Sequence, residues 1–166
     1  EQKLMVRYKY RYKEGRSRAQ KCESELHNFR HDAQLRYTIP FGALSVVSQL
    51  QLVLANQKSS RRLARLGGAF FQDLRYTHRF FSSSVRLAYF SLSGSNAALY
   101  FGEPALPYTF PLHSARNSGV RFAVLLVTKP VQWLRLGLQI GSTFENGNAA
   151  LQYSGSEARM QCNLLF

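Results

Sequence analysis

Polar and apolar residues alternate along most of this chain with a period of two, which is the period of a β-strand. In the stretch VRYKYRYK, which begins at Val6, a strand would carry three tyrosines on one face and four basic residues on the other. One short window, 60–66, has helical spacing instead. The pattern predicts an all-β chain of about ten strands. The same alternation returns in residues 24–38, 42–56, 67–78, 83–92, 131–142 and 157–166.

The breaks between these segments are of two kinds. Short ones rich in Gly, Pro and Ser, which are turn-forming residues, alternate with longer polar ones. Short turns at one rim and long loops at the other are typical of outer-membrane barrels. The sequence therefore predicts a single domain, residues 1–166, that is an antiparallel transmembrane β-barrel, either closed alone or the C-terminal part of a larger barrel. The short breaks are residues 39–42, 80–84 and 129–132, and the long ones are 14–23, 57–67, 113–119 and 145–155.

The alternation by itself does not say which face meets water, because a soluble sandwich and a membrane barrel share the pattern with opposite faces inward. Three features favour lipid on the apolar face. The predicted strands are longer than the usual five or six residues, and aromatic residues lie near many strand ends. The chain also ends on Phe166, in phase with the apolar face, which resembles the assembly signal of Gram-negative outer-membrane proteins.

The chain is strongly basic, with 22 Lys and Arg against 9 Asp and Glu. Such an excess indicates a polyanionic partner, either nucleic acid or an anionic membrane surface. In nucleic-acid binders, stacking aromatics and phosphate-binding cations share one surface, whereas strand geometry separates them here. A soluble, basic nucleic-acid-binding β protein is therefore kept only as an alternative.

The polar face of the predicted barrel would carry many more cations than acids. One interpretation is an ion-pair ladder that fills the lumen; the other is an anion-attracting interior or a seat for an acidic plug. From strand order, Glu103 is expected to pair with Arg86 and Arg121, and Glu145 is expected in a loop. The predicted lumen-facing charged set is Arg7, Lys9, Arg11, Lys13, Arg30, Asp32, Arg36, Asp73, Arg75, Arg86, Glu103, Arg121, Arg135, Glu157 and Arg159.

A loop cluster of four basic residues, Lys58, Arg61, Arg62 and Arg65, is either a solvated loop or a contact for lipopolysaccharide phosphates. Cys162 falls on the apolar face of the last strand, where it is expected to face lipid or to be buried. The sequence has no histidine spacing typical of metal sites and no nucleophile motif. We therefore expect no catalytic residues, no metal and no cofactor.

Six strand segments in the region Leu66–Phe166 carry a resemblance to a known family: QDLRY (72–76), VRLAYF (85–90), LYFGE (99–103), PYTFP (107–111), GVRFAVLL (119–126) and KPVQWLRL (129–136). They resemble the C-terminal barrel region of Bacteroidota outer-membrane proteins that often carry N-terminal helix-hairpin-helix repeats. Those repeats are absent here, and the family members are much longer. The resemblance implies a non-enzymatic outer-membrane protein that is structural or a subunit of an assembly, secretion or uptake complex. Its expected partners are outer-membrane lipid, lipopolysaccharide and other outer-membrane subunits; a small, porin-like, anion-preferring channel is the alternative.

Overall fold

The computed structural model describes residues 1–16, 25–57, 65–93, 98–107, 109, 112–115, 117–146 and 151–164. These residues form ten β-strands and no helix, which confirms the all-β prediction. Within them, no helix is long and apolar enough to cross a membrane. Most of the window with helical spacing lies outside the described residues. The strands are β1 (Lys3–Arg16), β2 (Glu25–Phe41), β3 (Leu44–Gln57), β4 (Arg65–Thr77), β5 (Phe81–Leu92), β6 (Leu99–Gly102), β7 (Leu112–Ala115), β8 (Gly119–Val131), β9 (Leu134–Asn146) and β10 (Leu151–Leu164).

Eight of the strands form one antiparallel sheet in the order β1-β2-β3-β4-β5-β8-β9-β10. The sheet is open: β1 and β10 are its edges, and no pairing joins them in the part of the chain that the structure describes. Strands β6 and β7 form a separate two-stranded sheet. They have four residues each, about 13 Å at the rise of a strand, so the prediction of about ten membrane-spanning strands is wrong for these two. Prolines at 104, 107 and 111 remove backbone donors from this region and keep its strands short.

Short and long connections alternate as the sequence predicts. The short ones, residues 42–43, 78–80 and 132–133, lie at one end of the sheet, and Gly42 allows the first turn with a φ of 60°. The other end has the longer connections. The predicted loop position of Glu145 is wrong, because β9 continues to Asn146 and Glu145 pairs with Gly119 of β8 and Gln152 of β10.

The eight-stranded sheet has one covered face. Residues 98–107, which include β6 and are called here the covering segment, pack onto it. The ring of Phe101 lies 4.9 Å from that of Phe71 and 6.3 Å from that of Phe90. We call the covered side the inner face and the opposite side the outer face. The small apolar core between the eight-stranded sheet and the two-stranded β6–β7 sheet consists of Val53, Ala69, Phe71, Ala88, Phe90, Leu99, Phe101 and Ala115.

Candidate functional site

The outer face of the sheet carries large apolar side chains that no other part of the described chain covers. Met160 is 86 % exposed and Tyr89 is 56 % exposed. A water-soluble monomer rarely exposes a continuous apolar surface of this extent. Cys162 lies on this apolar face, as the sequence predicts, and it is exposed rather than buried; it pairs with Leu136 of β9. Other exposed outer-face residues are Leu4, Val6, Tyr8, Leu50, Leu66, Phe70, Leu87, Phe122, Ile140 and Leu151.

The inner face carries the charged residues that the sequence pattern assigned to one side. Strand register places the predicted charged residues of β1, β2, β4, β5, β8, β9 and β10, apart from Lys13, on this face. Glu103 is not part of the sheet; it belongs to the covering segment, from which it binds Arg121 on the inner face. Lys13 lies in β1, but its side chain is outside the description. Within the described part of the chain, no group of His, Cys, Asp and Glu could hold a metal ion.

The four buried charged residues of the described chain, with the half-buried Glu157, form what we call the central cluster: Asp73, Arg86, Glu103, Arg121 and Glu157. Asp73 is 1 % exposed and Arg121 is 3 % exposed. Asp73 and Arg86 are direct cross-strand neighbours, so Arg86 binds Asp73 with contacts of 2.5 and 2.6 Å. The predicted pairing of Arg86 with Glu103 is therefore wrong. Arg86 instead donates through Nη1 to the carbonyl oxygen of Gly102 in the covering segment.

Arg121 is the centre of the second half of this cluster. Its Nη2 donates to Glu103 Oε2 at 2.9 Å, so the predicted pair of Glu103 and Arg121 is confirmed. It also binds Glu157 from β10, and its Nη1 donates to Thr143 Oγ1 at 2.6 Å. Arg159 completes the group by binding Glu157 at 2.9 Å. Each of the three guanidinium nitrogen atoms of Arg121 thus donates to at least one acceptor.

A cavity of about 350 Å³ opens beside Arg121 and is lined by His113, Thr143, Glu145 and Glu157. Burial lowers the pKa of His113, and the nearby positive charge of Arg121 lowers it further. The sequence pattern missed Glu145 as a site residue. Glu145 follows Gly141 and Thr143 on one face at the spacing of a strand, so the alternation would have identified it if the predicted strand had continued past residue 142.

A different arrangement occupies the β1 edge of the inner face. We call it the cationic cleft, a cleft of about 180 Å³ lined by Arg7, Lys9, Arg11, Arg30, Asp32 and Tyr100. Asp32 accepts from Arg11 at 2.9 Å and from Arg30 at 3.0 Å. Among the described residues, Arg7 and Lys9 have no acidic partner. The cleft therefore contains four cations and one carboxylate, and Asp32 binds two of the four.

The predicted lipopolysaccharide cluster lies mostly outside the described residues, which include none of Lys58, Arg61 and Arg62. Arg65 is the first residue of β4, is half-buried and pairs with Ala55 of β3. It stands at the end of the sheet that has the long connections. Of the remaining predicted cations, Arg75 binds Asp73 at 2.9 Å, and Arg36 lies near Asp73 and Arg86 on the inner face. Arg135 lies on the same face, opposite Asn163 of β10.

Comparisons with protein-family models, with curated proteins and with solved structures find no match to this chain.

Proposed function

We propose that this chain is a non-enzymatic integral outer-membrane β-barrel protein, serving structurally or as a subunit of an assembly, secretion or uptake complex. The observation that carries the proposal is the inverted distribution of polarity. Charged side chains such as Asp73 and Arg121 are buried on one face, while Leu87, Phe122 and Met160 are exposed on the other. Lipid stabilises the second face, whereas water would not.

Strand length supports the same proposal. The eight strands of the main sheet have 12 to 17 residues, and a tilted strand needs about 9–11 to cross the hydrocarbon of a bilayer. Unpaired backbone groups in lipid cost several kcal/mol each. The β1 and β10 edges must therefore be covered in the membrane, by each other or by further strands.

The polarity of the inner face favours a filled barrel over an open one. The covering segment lies across this face, and Arg86 and Arg121 hold it through Gly102 and Glu103. A filled barrel should be silent in planar-bilayer conductance measurements. The unmatched cations of the cationic cleft support the second candidate, a small anion-preferring channel, which would pass chloride in preference to potassium.

The setting that we propose is the outer membrane of a Gram-negative bacterium of the Bacteroidota, on the basis of the sequence resemblance. The partners are outer-membrane lipid, lipopolysaccharide and other outer-membrane protein subunits. Arg65, together with Lys58, Arg61 and Arg62, is our candidate for contact with lipopolysaccharide phosphates, since guanidinium groups bind phosphate in bidentate fashion. Mutating these four residues to Gln should reduce lipopolysaccharide co-purification without changing extraction of the protein.

Two measurements test the membrane proposal. The first is extraction: the protein should require detergent, and its migration on gels should change on heating. The second is thiol labelling in a Cys22→Ser, Cys162→Ser background. A lipid-dissolved maleimide should label Tyr8→Cys on the outer face and spare the adjacent Arg7→Cys on the inner face. Release by carbonate alone, or labelling of Arg7→Cys in preference to Tyr8→Cys, would overturn the proposal.

A further inference from the structure

The cationic cleft differs from the central cluster in its shortage of acids, because Asp32 is the one carboxylate among the described residues that line it, against four cations. Its walls come from β1, β2 and the covering segment, and it is still open to solvent at the sheet edge. Arg30 is fixed in place, because its Nη2 donates to the carbonyl oxygen of Ala98 at 2.9 Å and its guanidinium lies 5.8 Å from the ring centroid of Tyr100. Part of the site is therefore preorganised.

Charge balance in the cleft points to an anion. Asp32 neutralises one positive charge and is shared by Arg11 and Arg30. Arg7 and Lys9 stand at alternate positions of β1, so both side chains point to the inner face, opposite Gln34 and Asp32 respectively. Like charges brought together in a half-desolvated cleft repel one another unless a counter-charge lies between them. The donors that remain there, guanidinium and ammonium N–H groups, are those that bind phosphate oxygens.

We propose that the cationic cleft is a binding site for a small multivalent oxyanion of the phosphate or phosphate-monoester class. Arg7 and Lys9 are the residues that bind the anion directly, and Arg30 and Tyr100 shape the wall. A volume of about 180 Å³ suits a phosphate with a small substituent. The central cluster does not compete for the anion, because Arg121 is already matched by Glu103, Glu157 and Thr143.

The test is calorimetric titration of the detergent-solubilised full chain with inorganic phosphate at constant ionic strength. We expect saturable binding that weakens at least ten-fold in the Arg7→Gln, Lys9→Gln double variant. The matched control is Arg79→Gln, Lys129→Gln, which removes the same charge from two exposed positions near the short turns. The control should bind as the unaltered protein does. Circular dichroism checks that both variants keep their strand content.

Further titrations distinguish a free phosphate from a lipid headgroup. Glycerol 3-phosphate tests the soluble monoester, and short-chain phosphatidic acid in the detergent micelles, compared with phosphatidylcholine, tests the headgroup. Loss of binding of any of these probes in the double variant alone supports the site, and the probe that binds identifies its source. Absence of binding by all the probes, or equal weakening in both variants, would overturn the proposal. Neither result depends on whether the outer face lies in lipid, so the membrane proposal is tested separately.

Discussion

The central cluster and the cationic cleft lie on the same face of one sheet, yet they differ in how far acidic groups balance their positive charge. In the central cluster, Arg121 is enclosed by two carboxylates and a hydroxyl group. In the cationic cleft, four cations share one carboxylate, Asp32, and three of them, Arg7, Lys9 and Arg11, are exposed to solvent. The difference arises because Glu103 of the covering segment and Glu157 of β10 lie beside Arg121 and do not line the cleft. Matched charges hold this fold together, whereas the unmatched ones are available to a ligand.

The largest loss of stability should come from replacing Arg121, the main cation of the central cluster. Arg121→Met leaves the buried Glu103 without a cation, and breaking a buried pair in this way costs about 3–5 kcal/mol. Urea unfolding in detergent, followed by the fluorescence of Trp133, measures the loss. Arg159→Met is the control, since that side chain is 44 % exposed and its pair with Glu157 should contribute less than about 1 kcal/mol. Equal losses would contradict the comparison.

A smaller loss of stability is expected when Glu103, the carboxylate partner of Arg121, is replaced. Glu103→Gln keeps the shape of the side chain but removes the charge that faces Arg121, which should lower the free energy of unfolding by about 1–3 kcal/mol. Glu145→Gln should change it much less, because Glu145 is only half-buried and accepts one hydrogen bond, from Asn117 at 2.8 Å. The same unfolding assay applies, and a Glu145→Gln effect as large as that of Glu103→Gln would disprove this ranking.

The close approach of the covering segment to β9 can be tested at a glycine. A Cβ at Gly137 would overlap Cδ2 of Leu106 in the covering segment, which is 2 % exposed. Gly137→Ala should therefore destabilise the protein by about 1 kcal/mol, since Leu106 must move. It should also increase protease cleavage within residues 98–107. Gly68→Ala is the matched control, because its Cβ would lie at an ordinary 3.5 Å from Leu52; cleavage unchanged in Gly137→Ala would argue against the packing.

His113, which lines the cavity beside Arg121, should make the stability of the protein modestly dependent on pH. Burial and the charge of Arg121 lower the pKa of His113 in the folded state, so the unfolded chain binds the proton at a higher pH than the folded one. Stability is therefore full above the unfolded pKa of about 6.5 and declines as pH falls below it. Thermal unfolding at pH 8 and pH 5 measures the decline. His113→Gln should reduce this decline, and an unchanged decline would show that protonation of His113 is not its cause.

The smallest effect should be found in the cationic cleft. Without an anion, the Arg7→Gln, Lys9→Gln variant should unfold at the same temperature as the unaltered protein or slightly above it at low salt, because repulsion is removed and no ion pair is lost. High salt should cancel any difference by screening. A marked fall in unfolding temperature would mean that these cations stabilise the fold directly and would remove the contrast with Arg121.

Much of this arrangement could be predicted from the sequence, and the reason is geometric. Side chains in a strand point to opposite faces in turn, so the alternation around Arg7, Arg86 and Arg121 assigned each residue to a face without any knowledge of its neighbours. Turn-forming residues divided the long strands in nearly the right places. The prediction failed where regular alternation continued past a break, as at Glu145, and where strands too short for the pattern leave the main sheet, as at β6.

The sequence by itself determined that the chain is all-β and which side chains share a face, because these properties depend only on neighbours along the strand. The tertiary structure alone decided which charges meet. Cross-strand register brought Asp73 opposite Arg86, and the folding of the covering segment onto the inner face delivered Glu103 to Arg121. The openness of the sheet and the uneven supply of carboxylates across it are likewise tertiary properties, since both depend on contacts between residues far apart in the chain.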